Sequence, residues 1–370
     1  MELFLKRFYI SAILLLGLFT SCNLVLAHGA SPNEVDMITK IGEVIDVTES
    51  RNADGIREQI VKVRIKNNHS YDEFFLTNSV PDFQAFAIEA KKGQRYIINF
   101  DHELDQVYLA DHYREPVIIA LIAGFFALVI LFGGMKGFKS ILCLVLTGYV
   151  LITVFIPGIK AGQSPILLAI MISSFMTFLT MIFIAGFTKK ALAASIGTIG
   201  GVTAAGFIAI AVIKFAPLSG MASTEAQIMV ANYANKGLNY QEILAAGVLI
   251  ACLGAAMDVA ISIASAVQEL NDANSTQSFR ELFSHAMNIG KDIMATMTDT
   301  LILAYAGASL PLFILFSDEP GLRILNIEVV ATELTAAVIA SIGLLLSIPI
   351  SGLVAAALVK YSKKVDTNNG

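Results

Sequence analysis

The sequence predicts an α-helical polytopic membrane protein, with about seven transmembrane helices after an N-terminal signal or anchor and a small N-terminal extracytoplasmic β domain. Three observations carry that prediction. Of 370 residues, 56% are hydrophobic and only 15% charged, against about a quarter charged in soluble domains, and the mean hydropathy is +0.70. Apolar runs long enough to cross about 30 Å of hydrocarbon recur after Pro116. Between His28 and Glu115, by contrast, acidic side chains outnumber basic ones and short β-like runs alternate with turns.

Residues 1–27 read as an export signal or signal anchor. Lys6 and Arg7 precede an apolar run from Phe8 to Leu26, and Val25-Leu26-Ala27 suits cleavage after Ala27. Phe19-Thr20-Ser21 before Cys22 matches a lipoprotein site only loosely, because Phe19 is bulky where a smaller aliphatic residue is usual. Residues 28–115 form the predicted β domain, with strands in IGEVIDVTES, IVKVRIK, FFLTN and QRYIINFD, the last following the turn at Lys91-Lys92-Gly93. In IVKVRIK, Val61, Val63 and Ile65 alternate with Lys62, Arg64 and Lys66, as in a strand with one dry and one wet face. The size suits a small barrel or sandwich, OB-like or SH3-like.

The transmembrane domain covers 116–360, with spans over 116–135, 138–156, 164–186, 190–213, 241–267, 293–316 and 329–358, and 361–370 is a cytoplasmic tail. If the β domain is outside, the inner loops and tail hold Lys136, Lys139, Lys189, Lys190, Arg280, Lys291, Lys360, Lys363 and Lys364. The outer loops hold only Lys160, Lys214, Lys236 and Arg323. Nine against four obeys the positive-inside rule, independently of the export signal. Ser278-Phe-Arg-Glu281 has capping-box spacing, and Phe279, Leu282, Phe283, Ala286 and Met287 follow at helical intervals, which predicts an amphipathic helix on the inner face. Ser223-Thr224-Glu225 and Asn239-Tyr-Gln-Glu242 have the composition of two further N-caps.

Two aspartates stand out. Asp258 lies in GAAMDVAISIAS and Asp299 in ATMTDTLILAYAG, and an aspartate at the centre of a membrane helix costs about 2.5–3.5 kcal/mol unless it faces water, an ion or a partner. On the fifth span Gly254, Asp258, Ser262 and Ser265 share one face, either a packing seam with one satisfied carboxyl or part of a polar site. On the sixth, Asp299 is accompanied by Asn288, Asp292, Thr296, Thr298, Thr300 and Tyr305. The threonine hydroxyls either complete an oxygen-rich ion site or return their protons to helical carbonyls. Pro311 interrupts that span, freeing a carbonyl near the carboxylates or simply bending a packed helix. Glu333, near the start of the last span, joins the same candidate set.

Several chemistries are excluded. The cysteine count rules out paired-cysteine metal sites, and Gly197-Thr-Ile-Gly200-Gly201 lacks the lysine of a phosphate loop. Asp101-His102-Glu103-Leu104-Asp105 with Asp111-His112 fits no zinc or calcium loop and reads as a solvated acidic rim. No cofactor, nucleic-acid footprint or catalytic constellation is expected.

The chain resembles the YibE/F family of bacterial multipass membrane proteins. The likeness rests on Gly254-Ala-Ala-Met-Asp258-Val-Ala-Ile-Ser262-Ile-Ala-Ser265, on Glu269-Leu, and above all on the block from Met287 through Asn288, Asp292, Thr296, Asp299 and Thr300 to Gly307. Ala331-Thr332-Glu333 and Gly186-Phe-Thr-Lys189-Lys190 fit as well. The resemblance implies a multipass protein of the bacterial cytoplasmic membrane and names no substrate. It also implies that asparagine often stands at the position of Asp299, so hydrogen bonding rather than charge would matter there and Asp258 would be the stronger carboxylate.

Three functions remain on the sequence. The first is a secondary transporter or permease, with Asp258, Ser262, Ser265, Asn288, Asp292, Thr296, Asp299, Thr300 and Glu333 binding an ion or small polar solute. The second is a membrane scaffold or sensor whose exported β domain binds an envelope partner. The third, an intramembrane aspartyl protease, lacks the Tyr-Asp and Gly-x-Gly-Asp contexts, since Met257 precedes Asp258 and Thr298 precedes Asp299.

Overall fold

The computed structural model describes residues 37–51, 57–67, 70–80, 88–101, 106–233 and 237–367. The predicted signal or anchor lies outside them, as do His28, His69, His102, Glu103 and Asp105. The described residues divide into two compact units, one holding the β domain and the chain up to Gly134, the other beginning at Met135.

In the first unit, β1 (Met37–Arg51), β2 (Arg57–Asn67), β3 (Ser70–Val80), β4 (Arg95–Asp101) and β5 (Gln106–His112) form one antiparallel sheet in the order β3-β2-β1-β4-β5. The end strands β3 and β5 approach each other, which curls the sheet into a partly open barrel with the strand order of an OB barrel. Val61, Val63 and Ile65 of β2 point into its core with Val44, Leu76, Tyr96, Ile98 and Leu109, while Lys62 and Arg64 stand outside and bracket Glu73 of β3. Gly42 lets β1 pass against Ile98, whose side chain occupies the space a Cβ would need. Tyr96 is fully buried, and its hydroxyl is shared among the Lys91 amide, the Glu89 carbonyl and Gln94. The fifth strand replaces part of the expected acidic rim. Its alternation of Val107 and Leu109 with exposed neighbours was masked by flanking acids, of which Asp111 pairs with Arg114.

The helical chain starts with α1 (Glu115–Val150), broken at Gly134, where φ 52° and ψ −133° need the freedom of glycine. It continues through a π turn at Leu151–Phe155 into α2 (Ile156–Lys160). There follow α3 (Pro165–Ala185), α4 (Lys189–Phe215), α5 (Thr224–Tyr233), α6 (Tyr240–Ala273), α7 (Phe279–Ala308), α8 (Leu310–Leu315), α9 (Gly321–Asn326) and α10 (Glu328–Thr367). Among the described residues five stretches are long and apolar enough to cross a membrane: Glu115–Lys160, α3, α4, α6 and Glu328–Lys360. The first two predicted spans fall on the 46-residue first stretch, either side of the Gly134 break.

The predicted sixth span is not among the five. The expected surface helix and that span are one continuous helix, α7, because no proline falls between Phe279 and Ala308 and one polar face runs through both halves. Helix α7 then ends at Ser309, one residue before the short helix α8, which has Pro311 in its first turn. The three predicted N-caps are present. Asn239 accepts from the Glu242 amide, Ser223 from that of Ala226, and Ser278 from that of Glu281, whose carboxylate returns a bond to the Ser278 amide at 2.6 Å.

Within the second unit, α4, α6 and α10 pack together through small residues. A Cβ on Gly201 of α4 would lie 2.5 Å from the Gly343 carbonyl of α10, and one on Gly343 would lie 2.5 Å from the Cys252 sulfur of α6. The Cys252 thiol in turn donates to the Ala340 carbonyl at 3.4 Å. Helix α7 rests on this trio. Gly290 faces Ile348 of α10 and Ile263 of α6, and Ala286 faces Gly352. The faces of Gly247 and Gly254 on α6, by contrast, meet nothing within 4 Å.

Two outcomes follow from this geometry. Valine at Gly343 forces backbone apart and should abolish a monodisperse size-exclusion peak in detergent, whereas Gly254→Val, with open space, should keep the peak and lower the melting midpoint little. The bonds from Ser278 hold the Glu281 carboxyl below its ordinary value of 4.5. A depressed carboxyl stabilises above the ordinary value and loses that contribution as pH falls through the folded one. Amide exchange in the first turn of α7, corrected for intrinsic rates, should therefore accelerate only below about pH 4.5, and Glu281→Gln should remove the pH dependence.

Candidate functional site

Helix α7 sorts its side chains by face. Leu282, Ala286 and Gly290 are buried, and Ile293, Met297, Leu301 and Tyr305 continue that line partly buried. Asn288, Asp292, Thr296 and Asp299 are turned away from that line and exposed, and Thr300, nearer to it in bearing, is exposed as well. The pattern follows from about 100° of rotation per residue, and it gives α7 a continuous polar flank over three turns. Thr296 donates to the Ile293 carbonyl at 3.1 Å and Thr300 to that of Thr296 at 2.8 Å. Their protons are thus committed to the helix, and only their lone pairs are offered outward.

Helix α6 places Gly254, Asp258 and Ser262 on an exposed face, with Ser265 half-buried beside them. Ser262 donates to the Asp258 carbonyl at 2.8 Å. Asp258 faces away from the point where α6 meets Gly290 of α7. Ile263 is the α6 residue against Gly290 of α7, and a separation of five residues turns Asp258 about 140° away from it. Among the described residues, the carboxylates of Asp258, Asp292, Asp299 and Glu333 carry neither a hydrogen bond nor an ion pair.

What the fold does assemble is a polar seam where α6, α7 and α10 meet. Tyr305 of α7 is half-buried, packs on the core around Cys252, and lies within electrostatic reach of both Cys252 and Glu333. The hydroxyl oxygens of Thr298 on α7 and Thr332 on α10 are shielded from solvent and have no hydrogen-bond partner. Thr298 precedes Tyr305 by seven residues, two turns, so both project toward the same side about 10 Å apart along the helix. Glu333 is the one expected site residue that joins this seam. Thr298, Tyr305 and Thr332 escaped the site assignment because each was read as a neighbour of a carboxylate; the seven-residue interval would have separated Thr298 and Tyr305 from the exposed Asp299 face. Cys252, in a run of apolar residues, gave no such signal.

Among the described residues, no three His, Cys, Asp or Glu side chains converge as a metal site. The chemistry on offer is carboxylate, phenol and hydroxyl oxygen, suited to hydrogen-bonding a polar solute or neutralising a cation.

No curated protein and no solved structure matches the chain significantly. The family model for YibE/F-like proteins matches residues 121–361. That match runs from within the first apolar stretch to within α10 and covers more than half of the chain, and the chain belongs to the YibE/F family.

Proposed function

We propose that this membrane protein is a secondary transporter or permease that moves an ion or a small polar solute across the bacterial cytoplasmic membrane, by a path along α6, α7 and α10. One observation supports the reading above the others: the Thr298 and Thr332 hydroxyls are shielded yet unpartnered, on the same two helices that carry Tyr305 and Glu333. A buried hydroxyl without a partner costs about 1–3 kcal/mol, and in a span with no bulk water the natural partners are a solute oxygen, an ion or its hydration shell. The oxygen-bearing flank of α7, from Asn288 to Thr300, extends the same chemistry along the helix. The break at Ser309–Pro311, close to Tyr305, supplies the discontinuity that transporter helices use beside their sites. Orientation follows the loop lysines, with the β domain outside and the C-terminus in the cytoplasm. No catalytic step or cofactor enters the proposal.

A second reading, a scaffold or sensor working through the exported barrel, has one observation in its favour. Phe75 and Tyr71 of β3 are 69% and 64% exposed, with Lys62 and Arg64 over their rings at 5.8 and 5.7 Å. Strands 2 and 3 are the ligand face of OB barrels. Capture of an envelope partner that depends on Phe75 and Tyr71 and ignores Glu333 would favour it.

The transporter reading is tested by thermal stability of the purified protein in detergent, across pH and a panel of cations and small metabolites. Saturating ligand should raise the melting midpoint of the wild type, since a ligand at a hundred times its dissociation constant contributes about 2.7 kcal/mol. Glu333→Gln should abolish the rise and Asp258→Asn and Asp299→Asn should weaken it. A panel that shifts nothing, or shifts every variant equally, removes the proposal.

A further inference from the structure

The α3–α4 hairpin carries a second, chemically different feature, away from the polar seam. Where α3 ends and α4 begins, a cavity of about 310 Å³ is lined by Phe178 and Ile182 of α3, the Gly186-Phe187-Thr188 turn, and Lys189, Ala191, Leu192 and Ser195 of α4. Its walls are apolar, since Ser195 donates its proton back to the Ala191 carbonyl at 2.8 Å. Its mouth is basic. Lys189 and Lys190 are the first two residues of α4, the first turn contains no acidic residue, and among the described residues neither lysine has an ion pair.

That arrangement is electrostatically adverse as it stands. A helix N-terminus carries about half a positive charge and favours acids, not two lysines. The Thr188 hydroxyl takes the Ala191 amide, leaving the first-turn amides of Lys189 and Lys190 for an outside acceptor. Phe187, 88% exposed, lines the cavity beside them and adds uncovered apolar surface to it. Charge and shape together call for one molecule with an anionic head and an apolar tail.

We propose that this groove binds an anionic phospholipid, its acyl chain against Phe178, Ile182 and Leu192 and its phosphate at Lys189, Lys190 and the first-turn amides of α4. A free phosphate would satisfy the lysines but leave the groove and Phe187 uncovered. A zwitterionic lipid would fill the groove without the net charge that the lysines call for. The hairpin lies at the ends of two membrane-length helices, on the side where the loop lysines concentrate, which is where anionic headgroups face basic pockets between helices. Helix α4 is one of the three that form the central packing, so the lipid anchors a structural helix at the membrane surface.

Native mass spectrometry of the full-length protein, delipidated in detergent and titrated with phosphatidylglycerol, phosphatidylcholine or inorganic phosphate, tests this directly. Phosphatidylglycerol should be retained in preference to phosphatidylcholine, and inorganic phosphate should not displace it. The double variant Lys189→Gln/Lys190→Gln should lose about thirtyfold in apparent affinity, while Lys214→Gln at the far end of α4 should lose none. Leu192→Trp fills the groove with both lysines intact and should also expel the lipid, so the proposal does not rest on one variant. Equal retention of both lipids, competition by inorganic phosphate alone, or undiminished binding in the lysine and tryptophan variants would overturn it.

Discussion

Backbone contact at Gly201, Gly343 and Cys252 sets the geometry of the helical unit. Three helices meet there with no room for a single additional carbon on either glycine. Between apolar helices in lipid there is no hydrophobic drive to associate, so close packing and the few interhelical bonds it allows must hold the trio. The thiol of Cys252, donating to the Ala340 carbonyl, is one of those bonds. Fixing α10 against α4 and α6 also fixes the surface on which α7 lies, because Gly290 of α7 seats against Ile348 and Ala286 of α7 against Gly352 with no room for a further carbon at either glycine.

The rotation of α7 follows from that seating. With Leu282, Ala286 and Gly290 directed inward, the helical repeat turns Asn288, Asp292, Thr296 and Asp299 outward and brings Thr298 and Tyr305 toward α6 and α10. Polar groups are therefore divided into two populations. The seam around Tyr305 and Glu333 is shielded and short of partners, whereas the flank of α7 is open and self-satisfied in its hydroxyl protons. The flank and the α7 side of the seam lie on a helix that is not among the five membrane-length apolar stretches, as expected of a helix with a polar face.

Much of this was legible in the residues. The alternation around Val61 and Val63 marked a strand, Ser278 and Glu281 marked a helix start, and Pro311 marked a break, because each acts through local chemistry within a few residues. Strand β5 was hidden because Asp101, Asp105 and Asp111 dominate a segment whose apolar content is only Val107 and Leu109. The fusion of the surface helix with the sixth span was hidden because Gly290 looks like a breaker in sequence but serves as a contact with Ile348. For the candidate site, the sequence pointed to α6, α7 and Glu333, and it paired Asp258 with Asp299 on chemistry alone. Facing is a tertiary property: which of Thr298 and Asp299 turns inward depends on where α10 sits, and a single carboxylate in an apolar helix does not disclose that.

The claim that matters most is that α7 borders an aqueous path. Single cysteines at 288, 292, 296 and 299, placed in a background where Cys22, Cys143 and Cys252 are replaced by alanine or serine, should react with a charged, water-soluble thiol reagent in reconstituted vesicles, while cysteines at 282, 286 and 290 stay unmodified. Labelling that continues along the flank to position 299 is the result this account requires. Protection of 292, 296 and 299 from the charged reagent, with reaction only toward a lipid-soluble one, would place that flank in hydrocarbon or in a protein contact and contradict it.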